Sequence, residues 1–258
     1  MKKIPKVLIV VFAFALLYLP IIVIGILSFN SSQVGSNFGT ITARWYTEIF
    51  ANSSLSGAIV NTLIVAFVST IISTIAGTLI AIGIYSFRNS SRNRLLLLNN
   101  FPVVNADIST AITLMIIFSL LGLRFGFTTM LLSHIFFSIP FVILSVAPRL
   151  RELDKDLLDA AIDLGCNKFQ ALYKVLIPSI RTGIITGGLI AFTMSIDDFV
   201  ISWFNTGNGF DNFSIWIYAR LGRKTFSPSA YAYNSLVTII TIAGLVIYNL
   251  KTVRRLKK

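Results

Sequence analysis

Charge is what this sequence has least of. Only 12% of its 258 residues are Asp, Glu, Lys or Arg, against about 25% in an ordinary soluble domain, while 55% are hydrophobic. So little polar surface excludes a soluble globular domain and places the chain in a membrane. There is one cysteine, Cys166, which excludes an internal disulfide, and one histidine, His134, so a metal centre lacks the ligand partners it needs. No Gly-x-x-x-x-Gly-Lys-Ser/Thr occurs, so the chain has no loop to cradle ATP phosphates. No nucleophile, base or metal constellation marks it as an enzyme. The net charge of +12 raises nucleic acid as a partner, but the 22 Lys and Arg flank apolar runs, where they orient a membrane chain.

What is present is apolar sequence in long blocks. Six runs, near residues 7–27, 58–85, 101–121, 127–147, 183–204 and 232–250, each approach the roughly 20 helical residues that cross a bilayer. The expected fold is an all-α membrane protein with six transmembrane helices in a single domain over 1–258. The first run follows Lys2, Lys3 and Lys6, yet it is too long for a signal peptide, and "SFNSS" after it has no cleavage pattern, so it reads as a retained anchor. With the N-terminus inside, 17 basic residues fall on the cytosolic side and five (Arg44, Arg124, Arg220, Arg223, Lys224) outside. That bias predicts both termini in the cytosol.

The segment 152–178 is then cytosolic and unlike the rest. Leu153, Leu157, Ala161 and Leu164 recur at helical spacing opposite Asp156, Asp159 and Asp163, which predicts a short amphipathic helix. Ala160 and Ala161 let another surface approach the backbone, Gly165 suits a left-handed stop, and Pro178 suits a new helix start. A helix resting on lipid carries Lys and Arg, whereas this one carries five acids between Glu152 and Asp163; an anionic leaflet repels it, so a protein partner explains it better.

Asp159-Ala160-Ala161, three residues, Gly165, nine residues and Val175-Leu176-Ile177-Pro178 resemble the EAA motif of ABC-importer permeases, with Asp159, Val175 and Ile177 replacing Glu, Ile and Leu. The likeness extends along nearly the whole chain. "YLPIIVIGILSFNSS" (18–32), "WYTEIF" (45–50), "SHIFFSIPFVILSV" (133–146), "DLGCNKFQALYKVLIP" (163–178) and "FTMSIDDFVISWFNTG" (192–207) resemble the C-type permeases of spermidine/putrescine importers, within the binding-protein-dependent inner-membrane component family. The resemblance implies a type I ABC-importer permease fold. It implies that Asp159, Ala160, Ala161, Gly165 and Pro178 belong to a coupling segment docking on a cytosolic ATPase. It further implies a B-type permease as the other half of the pore, two ATPase copies carrying ATP and Mg, no cofactor in this chain, and an extracytoplasmic polyamine-binding protein.

Residue chemistry bears on the cargo separately. Only Asp107, Asp197 and Asp198 fall inside expected spans, where each costs about 2.5–3.5 kcal/mol or more unless it meets water or a partner. Protonated polyamines suit carboxylates and aromatic faces, and Phe199 and Trp203 lie close by in sequence. Continuous-helix geometry places Asp197 and Trp203 on one broad face and leaves open which of Asp197 and Asp198 faces the path. Asp107 either lines the path, caps a helix broken after Pro102, or reaches the interface. His134, beside Ser133 and Ser138, reads as a hydrogen-bonded packing residue. Gly183 and Gly187 have the spacing of a close helix contact, and Pro20 and Pro140 kink their spans. Trp45, Tyr46, Phe50 and Trp216 fit either an interfacial belt or a binding-protein contact. Two other classes remain: a related importer with cargo such as ferric iron, or an ion-driven secondary transporter or channel.

Overall fold

A computed structural model describes residues 4–32, 37–154, 156–207, 209–221 and 228–256. Lys2, Lys3, Lys155, Arg223, Lys224, Lys257 and Lys258, counted above for orientation, lie outside the described residues. In order, the elements are α1 (Ile4–Leu27), α2 (Arg44–Ala51), α3 (Ser53–Ser86), α4 (Asn89–Val104), α5 (Asp107–Leu120), α6 (Phe127–Glu152), α7 (Asp156–Asp163) and α8 (Lys168–Ala171). A π-helical turn (Leu172–Leu176), α9 (Ile177–Ser179), α10 (Arg181–Asp197), α11 (Val200–Asn205), α12 (Phe213–Leu221) and α13 (Ser229–Leu256) follow. The chain divides into two compact units, Met1–Gly57 with Trp216–Lys258, and Ala58–Ile215.

Three helices are individually long and apolar enough to cross a membrane: Val7–Leu27, Ser53–Ser86 and Phe127–Glu152. Two further candidates are bent pairs, α4 with α5 at 98° and Lys168–Ser179 with α10 at 68°. The sixth apolar run falls inside α13. The expected span 101–121 is therefore not one helix, because Asn105 and Ala106 adopt extended backbone between α4 and α5.

In the first unit, α13 packs against both α1 and α2. Trp45 and Trp216 are buried, each about 2% exposed, so they are packing residues and not an interfacial belt. The Trp45 indole donates to the Asn30 carbonyl (2.6 Å), and that of Trp216 donates to Ser54 Oγ (3.0 Å). Phe50 alone of the predicted aromatic set is widely exposed.

The core of the second unit lies where α6 meets α10. A Cβ on Gly183 would stand 2.9 Å from the Ser145 carbonyl, and one on Gly187 would stand 3.1 Å from Val142 Cα. The expected close contact is thus with α6. Val142 is also approached from α3, where a Cβ on Gly77 would lie 2.7 Å from its Cβ. Around it cluster Ala81, Ile143, Val146, Leu150, Leu176, Ile180 and Ala191, with Leu153, Leu158 and Leu172 packed on the edge. Those last three pack the polar segment against that core.

Candidate functional site

The polar segment 152–178 folds from local signals. Gly165 adopts φ +89°, its N–H donates to the Ile162 carbonyl (2.9 Å), and the Cys166 N–H donates to the Ala161 carbonyl (3.1 Å). This pair of bonds is a Schellman stop, and its left-handed residue is why glycine stands there. The next helix starts not at Pro178 but at Asn167, whose side chain accepts from the Gln170 N–H (2.8 Å) while Gln170 Oε1 accepts from the Asn167 N–H (3.0 Å). Pro178 instead follows the π turn, in which the Ile177 N–H reaches back to the Leu172 carbonyl. Proline cannot donate and crowds the carbonyl four residues back, which a widened turn relieves, and the chain then bends at Ile180.

The apolar side of α7 also differs from expectation. Ala161 is buried and Leu158 is half-buried in the core, whereas Leu157 and Leu164 face outward. The outer surface therefore combines Asp156, Asp159, Ala160 and Asp163 with Leu157, Leu164, Phe169 and Tyr173, all exposed. Of the predicted alanine pair only Ala160 is open to a partner.

The three intramembrane acids stand at helix breaks. Asp107 is the first residue of α5, exposed, in the turn where N–H groups lack intrahelical partners. Asp197 is the last residue of α10 and is exposed. Asp198 is extended (φ −66°, ψ 130°) and caps α11, accepting from the N–H groups of Ile201 (3.2 Å) and Ser202 (2.7 Å) and from Ser202 Oγ (2.7 Å). Because the helix stops here, the shared face expected for Asp197 and Trp203 on a continuous helix does not exist. Phe199 and Trp203 do meet, with ring centroids 5.7 Å apart.

The two second halves, α5 and α11, lie together. Ile201 packs with Ala111 and Phe137, and Asn205 Nδ2 donates to the Ala111 carbonyl (3.2 Å). Both Asp107 and Asp198 therefore sit at the starts of adjacent helix halves. At the other ends of those halves lies a cleft of about 500 Å³ whose described lining, including Met115, Leu120, Phe125 and Phe204, holds no carboxylate.

His134 is fully buried, and its partners are not Ser133 or Ser138. Its Nδ1 is 2.6 Å from Ser195 Oγ, and its Nε2 is 2.9 Å from Ser202 Oγ and 3.6 Å from Asp198 Oδ2. Ser195 Oγ continues to Ser69 Oγ (3.2 Å), and Asn212 Nδ2 donates to Ser202 Oγ (2.8 Å). These serines and Asn212 escaped the sequence reading. The signal was present in Ser195 and Ser202, two helical turns apart and bracketing the aspartate pair inside an apolar run.

A polypeptide that crosses the membrane several times, breaks two of its spans at acids and carries an exposed acidic helix outside them is built as a permease. Its fold is that of an ABC-importer permease, similar to a bacterial ABC transporter involved in import of the acidic polysaccharide alginate, with TM-score 0.73, 18% identity and coverage of 95% of this chain and 94% of that one. In sequence it is 36% identical over 233 residues to the spermidine/putrescine transport system permease protein PotC of Escherichia coli K12, covering 90% of this chain and 87% of that protein. It is 30% identical over 239 residues to the protein of the same description in Haemophilus influenzae, covering 93% of each. No family model matches. The chain belongs to the PotC family of transport-system permeases.

Proposed function

We propose that this permease forms half of the pore of an ATP-driven importer of spermidine and putrescine. The observation that carries the reading is the placement of the three acids of the expected spans, Asp107, Asp197 and Asp198, at two helix breaks whose second halves pack together. Broken helices at membrane depth are where transporters bind cargo, because freed backbone and carboxylates together replace hydration. A polyamine carries separated ammonium groups, and separated carboxylates match it.

The acids differ in role. Asp107 and Asp198 stand at helix starts, where the positive end of the helix dipole already compensates them. Asp197 ends α10, at the negative end of its dipole, and is exposed, so it gains most from an incoming ammonium. Phe199 and Trp203 supply ring faces beside it for cation–π contact.

The chain holds no ATP-binding loop, so energy enters through a partner ATPase carrying ATP and Mg. Asp159, Ala160 and the outward apolar residues of α7 and α8 dock on it, Gly165 stops the docking helix, and Ala161 and Leu158 connect it to the core. A B-type permease supplies the other half of the pore, two ATPase copies lie in the cytosol with both termini, and a polyamine-binding protein delivers cargo outside.

The test is ATP-dependent uptake of labelled spermidine and putrescine into proteoliposomes holding all four components. Uptake is expected to need every component and to fall about tenfold or more in Asp197→Asn, the scale of one lost charge-assisted contact. ATP hydrolysis without polyamine uptake overturns the cargo; wild-type uptake in both Asp107→Asn and Asp197→Asn removes these acids from the path.

A further inference from the structure

The hydrogen bonds around Ser202 are over-determined, and counting protons there fixes their direction. Its hydroxyl has one proton and two lone pairs, yet it has three partners. In the ionised state in which it would meet a cation, the Asp198 carboxylate can only accept, so the proton then goes to Oδ2 at 2.7 Å. Asn212 presents its amide nitrogen at 2.8 Å, an orientation set by Asn212 Oδ1 accepting from the Ile215 N–H (2.9 Å), so it can only donate. The third partner, His134 Nε2 at 2.9 Å, must therefore carry a hydrogen and donate as well.

We infer that His134 is a positioning residue for Asp198: by donating from Nε2 to Ser202 it commits the serine proton to Oδ2 and holds the carboxylate in one orientation at the break between α10 and α11. The inference rests on the proposed place of Asp198 in the substrate path. Oδ2 is consumed by Ser202, through both N–H and hydroxyl, whereas Oδ1 accepts one longer bond from the Ile201 N–H (3.2 Å) and is the oxygen left for a cation. The ring also spans the break. Ser195 lies before it and Ser202 after it, so one side chain of α6 fixes both halves of the interrupted span. A packing role alone asks only for a filled cavity and partnered nitrogens. The count at Ser202 makes one nitrogen's hydrogen matter to a specific carboxylate oxygen.

The test uses the whole transporter in proteoliposomes and reads KM and maximal rate for spermidine uptake. His134→Gln keeps an amide donor near the Nε2 position; His134→Asn keeps only a partner for Ser195. Uptake by His134→Gln is expected within about threefold of wild type, while His134→Asn raises KM about fivefold to tenfold with little change in maximal rate, the scale of one ordinary hydrogen bond. Combining His134→Asn with Asp198→Asn is expected to add no further loss, since the first acts through the second. Ser202→Ala, the milder change should the histidine variants fail to assemble, is expected to match His134→Asn and to follow the same cycle. Losses that multiply in the double variant, or equal behaviour of the Gln and Asn variants, overturn the positioning role. An impaired Asp198→Asn beside a silent His134→Asn overturns this inference and spares the path reading. A fully active Asp198→Asn overturns Asp198's place in the path, and this inference with it.

Discussion

The alanine pair of α7 offers the sharpest separation of folding from the proposed coupling. Ala161 is 8% exposed and its neighbour Ala160 is open, though they are adjacent on an eight-residue helix. Replacing Ala161 with Arg puts a cation and a long stem where the core has room for a methyl group. Overpacking costs about 1–3 kcal/mol, and an unpaired buried charge costs several more. That is a large part of a typical stability of about 5–15 kcal/mol, so α7 leaves its seat. Ala160→Arg starts from an exposed position and lies four residues after Asp156 and three before Asp163, so its effect on folding stays within about 0.5 kcal/mol. Its bulk and sign instead reach any docked partner. Thermal melting of the solubilised permease pair and co-purification of the ATPase read the two effects separately. Ala161→Arg is expected to lower the melting temperature; Ala160→Arg is expected to leave it unchanged and to abolish ATPase capture and uptake. Unchanged melting in Ala161→Arg refutes the burial argument, and normal ATPase capture by Ala160→Arg refutes docking through the outer face of α7.

Two further outcomes follow from backbone geometry. Gly187→Leu is expected to cost at least about 1–3 kcal/mol, because its Cβ would press on Val142 Cα, which backbone cannot yield cheaply; recovery of folded, monodisperse protein in detergent checks it, and wild-type yield and melting contradict it. Gly165→Ala is expected to cost about 1 kcal/mol at φ +89°, with Gly165→Asn milder since Asn tolerates left-handed backbone. Open space around that Cβ means that only conformation is tested, so equal melting of all three proteins counts against the strained stop.

Legibility from sequence followed the range of the interaction. Gly165, Ala160 and the acids of α7 were readable because a helix stop and a polar face are local patterns, and the Gly183–Gly187 contact was readable because close approach demands small residues at fixed spacing. The helix restarts at Asn167 and not at Pro178, since the Asn167–Gln170 capping box is an equally local signal that the more conspicuous proline conceals. Trp45 and Trp216 were assigned to a surface and are buried, because a sequence does not say which side of an indole another helix covers.

Composition and hydropathy by themselves determined that the chain belongs in a membrane and that a polar helix stands apart from its apolar runs, because transfer of apolar length into lipid depends on residue type and hardly on neighbours. The breaks at Asn105–Ala106 and at Asp198, the burial of one alanine of a pair and the enclosure of His134 between Ser195 and Ser202 were decided only in three dimensions. The enclosure of His134 depends on partners 61 and 68 residues away, and the stop at Asp198 on competition between a backbone ladder and a side-chain cap. Such a balance is settled by packing, which no single stretch of sequence contains.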